Sequence, residues 1–283
     1  MAKKKTIGEF YQMKQEGKIV TWITAYDYPV ASFAENAGID MILVGDSLGM
    51  VVYGLDGTIP VTMEECLIHC RAVRRGAPNT FVIGDMPFGS YHESDSQAVA
   101  NAVRFLKESG MDAIKLEGGV RVSSRIKAIT DAGIIVFGHI GLTPQSSGVL
   151  GGFRAQGRTA RSAEALVKDA LAVQEAGAKI LLVEAIPPEL TEALITILRI
   201  PVYGIGAGQA DGQVLISGDM LGYFEAFTPK FVKKYADVAR TMTDAIKEYT
   251  EDVKNRVFPA EEHTYPVLPE EKDEFLKMIK KYR

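Results

Sequence analysis

Five polar residues stand near the ends of five successive apolar runs. They are Asp46 in "MILVGD", Asp85 in "FVIGDMP", Glu117 in "AIKLEGG", His139 in "IIVFGHIG" and Glu184 in "ILLVEAI". One acid in such a place is commonly a helix cap. Five in succession read as a site. In "AIKLEGG", Lys115 and Glu117 are two apart, so on a strand both face one side while Ile114 and Leu116 face the other. Carboxylates brought together at Asp46, Asp85 and Glu117 repel one another and lose water, so positive charge must hold them. The donors are oxygens, with no cysteine and at most one histidine, which suits a hard ion, Mg²⁺, over zinc. Lys115 adds a second cation fit for an anionic substrate, or serves as a structural ion-pair partner of Glu117. Glu184 reads as a further ligand, a partner of a rim arginine, or a free base. Its apolar neighbours would raise its pKa toward the range that removes protons.

The elements that must position these residues alternate along the chain. Strands are expected at 19–26, 41–46, 81–87, 113–119, 134–141, 180–186, 201–208 and 213–221. Amphipathic stretches lie between them, among them "SDSQAVANAVRFLKESG" and "SAEALVKDALAVQEAG", each opening on a serine cap and closing on glycine. Eight strands with helical crossovers predict a (β/α)8 TIM barrel rather than an open doubly wound sheet. All five polar residues then lie on the C-terminal rim, where barrel enzymes build their sites. The seventh and eighth strands are joined only by "QADG", too short for a crossover helix, so a boundary is displaced or that unit is degenerate. One barrel domain over 1–283 is expected, with an N-terminal helix within 1–18 covering the barrel's bottom. Toward the C-terminus, a long helical region from "FTPKFVKK" to "VKNRV" leads into a tail from about 259 that ends in a charged helix.

Two glycine-rich stretches stand out. "GIGAGQADGQ" lacks the helix of a dinucleotide fingerprint, and its glycines would instead let a flat ligand approach the backbone. "GLTPQSSGVLGGFRAQGRTARS" is long enough for an active-site lid. The totals are ordinary: 283 residues, 47% hydrophobic, 24% charged, net charge −4, which excludes a general attraction to nucleic acid or anionic membranes. The basic cluster Lys3–Lys5 and Lys280–Lys281 read as solvated ends. Cys66, His69 and Cys70 crowd one helix too closely to surround a metal, and reduced thiols are the simpler reading. "MAKKKTIGEF" lacks a signal peptide's apolar core and no run is long enough to span a membrane, so a cytoplasmic protein is expected.

The ordered motifs "TAYDYP", "LVGDSLGMVVYG", "TIPVTMEE", "GDMPFGSY", "IKLEGG", "GHIGLTPQ", "GGFRAQGR", "LVEAIP", "DGQVL" and "FPAEEH" run from about residue 6 to 265. In these the chain resembles the ketopantoate hydroxymethyltransferases of pantothenate biosynthesis. The resemblance implies a TIM barrel assembled as a homodecamer of two pentameric rings. It also implies transfer of a one-carbon unit from 5,10-methylenetetrahydrofolate to 3-methyl-2-oxobutanoate. It places Mg²⁺ at Asp46, Asp85 and Glu117, some acting through water, and the oxo acid at Asp46, Ser47, Asp85 and Lys115. Glu184 is the implied proton acceptor, and His139 lines the pocket. Gly218 departs from a histidine found in many relatives, and the segment after "FPAEEHTY" has no secure counterpart in the family's motifs, so its role is open. Two alternatives remain at this stage. One is a Mg²⁺ lyase or mutase of the phosphoenolpyruvate mutase/isocitrate lyase type, which characteristically needs a reactive group on a mobile loop, often cysteine. The other is a non-catalytic metabolite-binding barrel.

Overall fold

The computed structural model describes residues 4–283. The chain divides into two compact units, one extending to Ala236 and the other Asp237–Arg283. The first is a closed barrel of parallel strands in sequence order, β1 pairing with both β2 and β8. The strands are β1 Val20–Thr24, β2 Met41–Val44, β3 Phe81–Asp85, β4 Ala113–Glu117, β5 Val136–Gly141, β6 Ile180–Glu184, β7 Val202–Ile205 and β8 Gly212–Leu215. The expected (β/α)8 fold is therefore present. Helices α1 Ile7–Gln15, α2 Tyr28–Asn36, α3 Leu48–Val51, α4 Met63–Gly76, α5 Asp95–Ser109 and α6 Ser123–Asp131 occupy the first half. Helices α7 Ser147–Leu150, α8 Ala160–Glu175, α9 Pro188–Ile197 and α10 Ser217–Leu221 follow.

Two apolar clusters follow from strand alternation. Trp22, Met41, Phe81, Ala113, Phe137, Ile180 and Tyr203 fill the barrel's interior, while Ile114, Leu116 and Val136 face the helices. Helix α1, boxed by Thr6 and Glu9, closes the bottom as expected. Its Phe10 is fully buried and meets Phe81 edge-to-face at 5.3 Å. Lys4 and Lys5 are not simply solvated ends, since they pair with Asp112 at 2.7 Å and Asp40 at 2.9 Å. Lys3 lies outside the described residues.

Several boundaries move from their expected places. Helix α5 starts at the Ser94 cap and stops at Gly110, as read from the sequence. Helix α8 starts three residues earlier than expected, because Thr159 caps it and Ser162 sits in its first turn as the reciprocal partner. The eighth strand ends at Leu215, and "SGDML" turns into α10. Between β7 and β8 the unit is degenerate and has no crossover helix. Gly206 (φ 61°) and Gly208 (φ 79°) let the chain reverse within six residues. Asp211 then starts β8 by accepting from Val202 N at 2.9 Å and from Lys14 Nζ at 2.6 Å.

The second unit holds α11 Val238–Lys254 and α12 Lys272–Lys280. The expected long helix is shorter than read, because residues 228–236 are non-helical. Met242, Ile246, Tyr249 and Val253 recur at helical spacing along α11 and are exposed. Among the described residues no helix is long and apolar enough to cross a membrane.

Candidate active site

Strand register brings the predicted residues together. Asp85 lies beside Lys115 across β3 and β4, and Glu117 lies beside His139 across β4 and β5. Partners in parallel register face the same way, so Asp85, Lys115, Glu117 and His139 all point into the top of the barrel. Glu184 ends β6, and Asp46 and Ser47 follow β2 by two and three residues. Asp46, Asp85, Lys115, Glu117 and His139 are all at most 4% exposed, and Glu184 is half-buried. Together with Ser47 they line one cavity of about 1100 Å³. The sequence-predicted residues thus form one constellation.

Lys115 is its hub. Its Nζ lies 2.9 Å from Asp85 Oδ1, 3.7 Å from Glu117 Oε1 and 3.3 Å from His139 Nδ1. Burial works against the Lys115 ammonium, but Asp85, Glu117 and Asp46 beside it outweigh that and hold its pKa above the ordinary value. It is therefore charged at neutral pH. Burial pushes the carboxyls of Asp46, Asp85 and Glu117 up, with Lys115 opposing in each case. His139 moves the other way: burial, then the Lys115 charge, lowers its pKa and keeps the ring neutral. Its Nδ1 lies 3.3 Å from both Lys115 Nζ and Glu117 Oε1; the charged lysine can only donate, and where Nδ1 accepts from it the ring hydrogen is on Nε2. Nε2 lies 3.2 Å from Glu184 Oε2, somewhat off the hydrogen-bonding axis. Ala185, next to Glu184, has φ 49°, a left-handed conformation uncommon for alanine. Its N–H donates to Ile205 O at 2.9 Å, and its carbonyl accepts from Gln156 N at 2.9 Å. That kink turns the chain immediately after Glu184.

One residue of the site, in the motif "GHIGLTPQ", was missed by sequence reasoning. Gln145 lies in the long β5–α8 loop, within a 3₁₀ turn at Pro144–Ser146. Its Nε2 donates to Asp46 Oδ2 at 2.8 Å and to Met86 O at 2.9 Å. Its backbone N–H donates to Glu117 Oε2 at 3.0 Å, and Tyr91 OH donates to its Oε1 at 2.6 Å. A buried glutamine ending "GLTPQ" on a barrel rim was the available signal. The same loop sends Phe153, Arg154 and Arg158 to the cavity, so the stretch read as a lid does border the site.

The donors fit a magnesium ion. Asp85 Oδ1 is buried with only the Lys115 ammonium beside it, 2.9 Å away, and Asp46 spends only one oxygen on Gln145. Several carboxylates face one lysine, so a further cation relieves their repulsion. Among the described residues no three acidic, histidine or cysteine side chains converge tightly enough to cage an ion alone. Mg²⁺ characteristically takes one or two carboxylates and fills its remaining positions with water and substrate oxygens. Asp46 and Asp85 suit direct contact and Glu117 a supporting place.

Cys66 and Cys70 are fully buried on α4, in the helix-facing core, and burial pushes both thiols up. No rim loop carries a cysteine. The glycine stretch 204–208 receives no open flat face: the ring of Phe231 lies on Gly206, where an added Cβ would stand 2.5 Å from it.

The ketopantoate hydroxymethyltransferase family model matches residues 4–261. The chain belongs to that family. The 3-methyl-2-oxobutanoate hydroxymethyltransferase of Alkaliphilus metalliredigens is 64% identical over the whole of both chains. That of Geobacillus kaustophilus is 52% identical, covering 93% of this chain and 95% of its own. A solved phosphonopyruvate hydrolase, in complex with oxalate and Mg²⁺, shares the fold. It has a TM-score of 0.59 at 15% identity, covering 97% of this chain and 98% of its own. The chain is a hydroxymethyltransferase by family, and its constellation of acids, lysine and histidine is this family member's candidate active site.

Proposed function

We propose that this enzyme transfers a hydroxymethyl group from 5,10-methylenetetrahydrofolate to 3-methyl-2-oxobutanoate, giving 2-dehydropantoate, with Mg²⁺ as the resident ion. The observation that carries this reading is Glu184, half-buried and 3.2 Å from a neutral His139, facing the same cavity as the charged Lys115. That is a base beside an electrophilic cation, as proton removal next to a carbonyl requires. The ion, held by Asp46 and Asp85 with Glu117 in support, would polarise the keto oxygen and neutralise the acids around it.

The chain's own residues account for the rest. Lys115 and the Ser47 hydroxyl orient the carboxylate and keto oxygens of the oxo acid. Ser47 is itself fixed by Tyr26 OH at 2.7 Å. Glu184 takes the proton from C3, and His139 Nε2–H steadies the carboxylate that receives it. Negative charge then spreads onto the keto oxygen beside Lys115. C3 forms its new carbon–carbon bond to the one-carbon unit of the donor, water supplies the hydroxyl oxygen, and tetrahydrofolate leaves. The walls of the cavity exclude other water from the C3 carbanion equivalent.

Cytoplasmic location and a homodecamer of two pentameric rings belong to the same reading. Sedimentation of the purified protein tests the assembly. The reaction is tested by incubating the protein with Mg²⁺, the oxo acid and methylenetetrahydrofolate and following 2-dehydropantoate by mass spectrometry. A donor-dependent gain of one hydroxymethyl unit is expected. Cleavage of the oxo acid without gain of mass would instead favour a lyase.

A further inference from the structure

The cavity of about 1100 Å³ is far larger than a five-carbon oxo acid fills, and its walls differ in kind. The acids, Lys115 and His139 come from β2 to β6. The remaining wall comes from β7, β8, α10 and the segment beyond, and is built of Ile205, Val214, Ile216, Phe224 and Phe231. One carboxylate interrupts it. Asp219 is 3% exposed, lines the cavity, and has no side-chain hydrogen bond or ion pair among the described residues. A buried carboxylate without a partner costs stability unless something else supplies donors. Burial pushes its carboxyl up to about 6, with Lys234 only partly opposing, as expected of an acid that nothing in the chain satisfies.

The surroundings of Asp219 are fixed in place. An added Cβ at Gly218 would stand 2.7 Å from Val51 Cγ1 and 3.1 Å from Phe224 Cβ, so these side chains close on the backbone just before Asp219. Phe231 is held likewise against Gly206, which needs its left-handed φ of 61°. Arg154, Arg158 and Lys230 line the same cavity, are exposed, and make no ion pair among the described residues. A lone acceptor on the cavity wall, apolar surroundings and an exposed cationic mouth suit a flat ring with two adjacent N–H donors on one edge and an anionic tail. The oxo acid does not qualify, because all its heteroatoms are acceptors.

We propose that Asp219 recognises the pterin ring of the folate donor, accepting its N3–H and 2-amino hydrogens as a bidentate pair, with the glutamyl carboxylates at Arg154, Arg158 and Lys230. This rests on the folate-dependent reading above and assigns the donor its own wall of the cavity. A carboxylate facing two parallel N–H groups is among the stronger and more directional hydrogen-bond pairs. The arrangement also leaves the β2 to β6 side free for the oxo acid and its ion.

The test uses the full-length enzyme and the variants D219N and D219A in steady-state hydroxymethyl transfer. The KM for methylenetetrahydrofolate is expected to rise at least tenfold in both, while the KM for the oxo acid stays within twofold. Deuterium exchange at C3 of the oxo acid, measured without donor, reports whether each variant keeps a folded oxo-acid site. A second probe compares inhibition by tetrahydrofolate and by its 2-desamino-2-methyl analogue. Wild type should prefer the amino compound at least tenfold, and D219A should bind the two alike. A donor KM within twofold of wild type in exchange-competent D219N, or undiminished discrimination in D219A, overturns the assignment of Asp219. A wild-type enzyme that exchanges C3 but shows no saturable dependence on the donor overturns the folate reading itself, and the assignment with it.

Discussion

Replacing Gln145 with leucine keeps the side chain's bulk but removes three buried hydrogen bonds, to Asp46 Oδ2, to Met86 O and from Tyr91 OH. The bond to the Asp46 carboxylate is charge-assisted and contributes about 2 kcal/mol, and each neutral bond about 1 kcal/mol. The variant should therefore lose roughly 4 kcal/mol of unfolding free energy, read from guanidinium titrations. The second consequence is sharper. Gln145 fixes Asp46 through its side chain and Glu117 through its backbone N–H, and Q145L would keep only the latter contact. An Asp46 free to rotate is a poorer ligand, and loss of such a supporting contact typically weakens metal binding about 10- to 100-fold. Titration with Mn²⁺, followed by electron paramagnetic resonance, measures this independently of turnover. Y91F serves as the comparison, since it removes the bond to Gln145 Oε1 and the acceptor of Glu117 N–H but no bond to Asp46. It should cost about 1–2 kcal/mol in stability and leave Mn²⁺ affinity within threefold. A folded Q145L protein that binds Mn²⁺ as wild type does would refute the idea that the β5–α8 loop orients the acids proposed to hold the ion.

Three other outcomes follow from the geometry. K115M should leave a folded protein with kcat/KM lowered by about 10²–10³, because it removes the cation beside the developing oxyanion while the acids remain; a loss below tenfold would assign Lys115 to structure alone. D219N should be at least as stable as wild type at pH 7.5. The native pKa of about 6 lies above the unfolded value, so the native state holds this proton more tightly. Ionisation of Asp219 therefore costs the wild type stability, a cost that accumulates as pH rises from about 4 to 6 and is constant above. The variant's advantage should shrink toward pH 4.5, and a D219N that is markedly less stable at pH 7.5 would contradict an unpartnered carboxylate. F10A should cost about 3–5 kcal/mol by emptying the bottom of the barrel. The oxo-acid KM should not change, since Phe10 packs at the opposite end from the rim; a changed KM would show that the bottom layer sets the site's geometry.

Much of this was legible in the sequence because two periodicities coincide. Alternation at Lys115 and Glu117 put both charges on the inner face, and the strand ends at Asp85, Glu117 and Glu184 fell where the apolar runs stopped. Those runs are buried on both faces, so their identity as parallel strands was plain. Local reading failed where tertiary contacts decide. "SGDML" carries strand-like neighbours but turns into a helix, hiding Asp219 in what read as the end of a strand. Residues 228–236 look helical, yet Phe231 is drawn onto Gly206 and the backbone follows it. Gln145 has no periodic signature at all. Its role depends on Asp46, Met86 and Tyr91 arriving from 54 to 99 residues away. The Thr159 cap was missed because Ser162, three residues on, is an equally good capping residue in isolation.

The proposed mechanism has Glu184 remove the C3 proton of the oxo acid while the acids around Lys115 hold the ion. It is tested most directly by incubating wild type and E184Q with Mg²⁺ and 3-methyl-2-oxobutanoate in deuterated water. The C3 signal is followed by proton magnetic resonance, and Mn²⁺ binding is measured in parallel. Wild type should lose the C3 proton signal, and E184Q should retain it while binding Mn²⁺ with unchanged affinity. Normal exchange in E184Q would place the base on another residue and contradict the account.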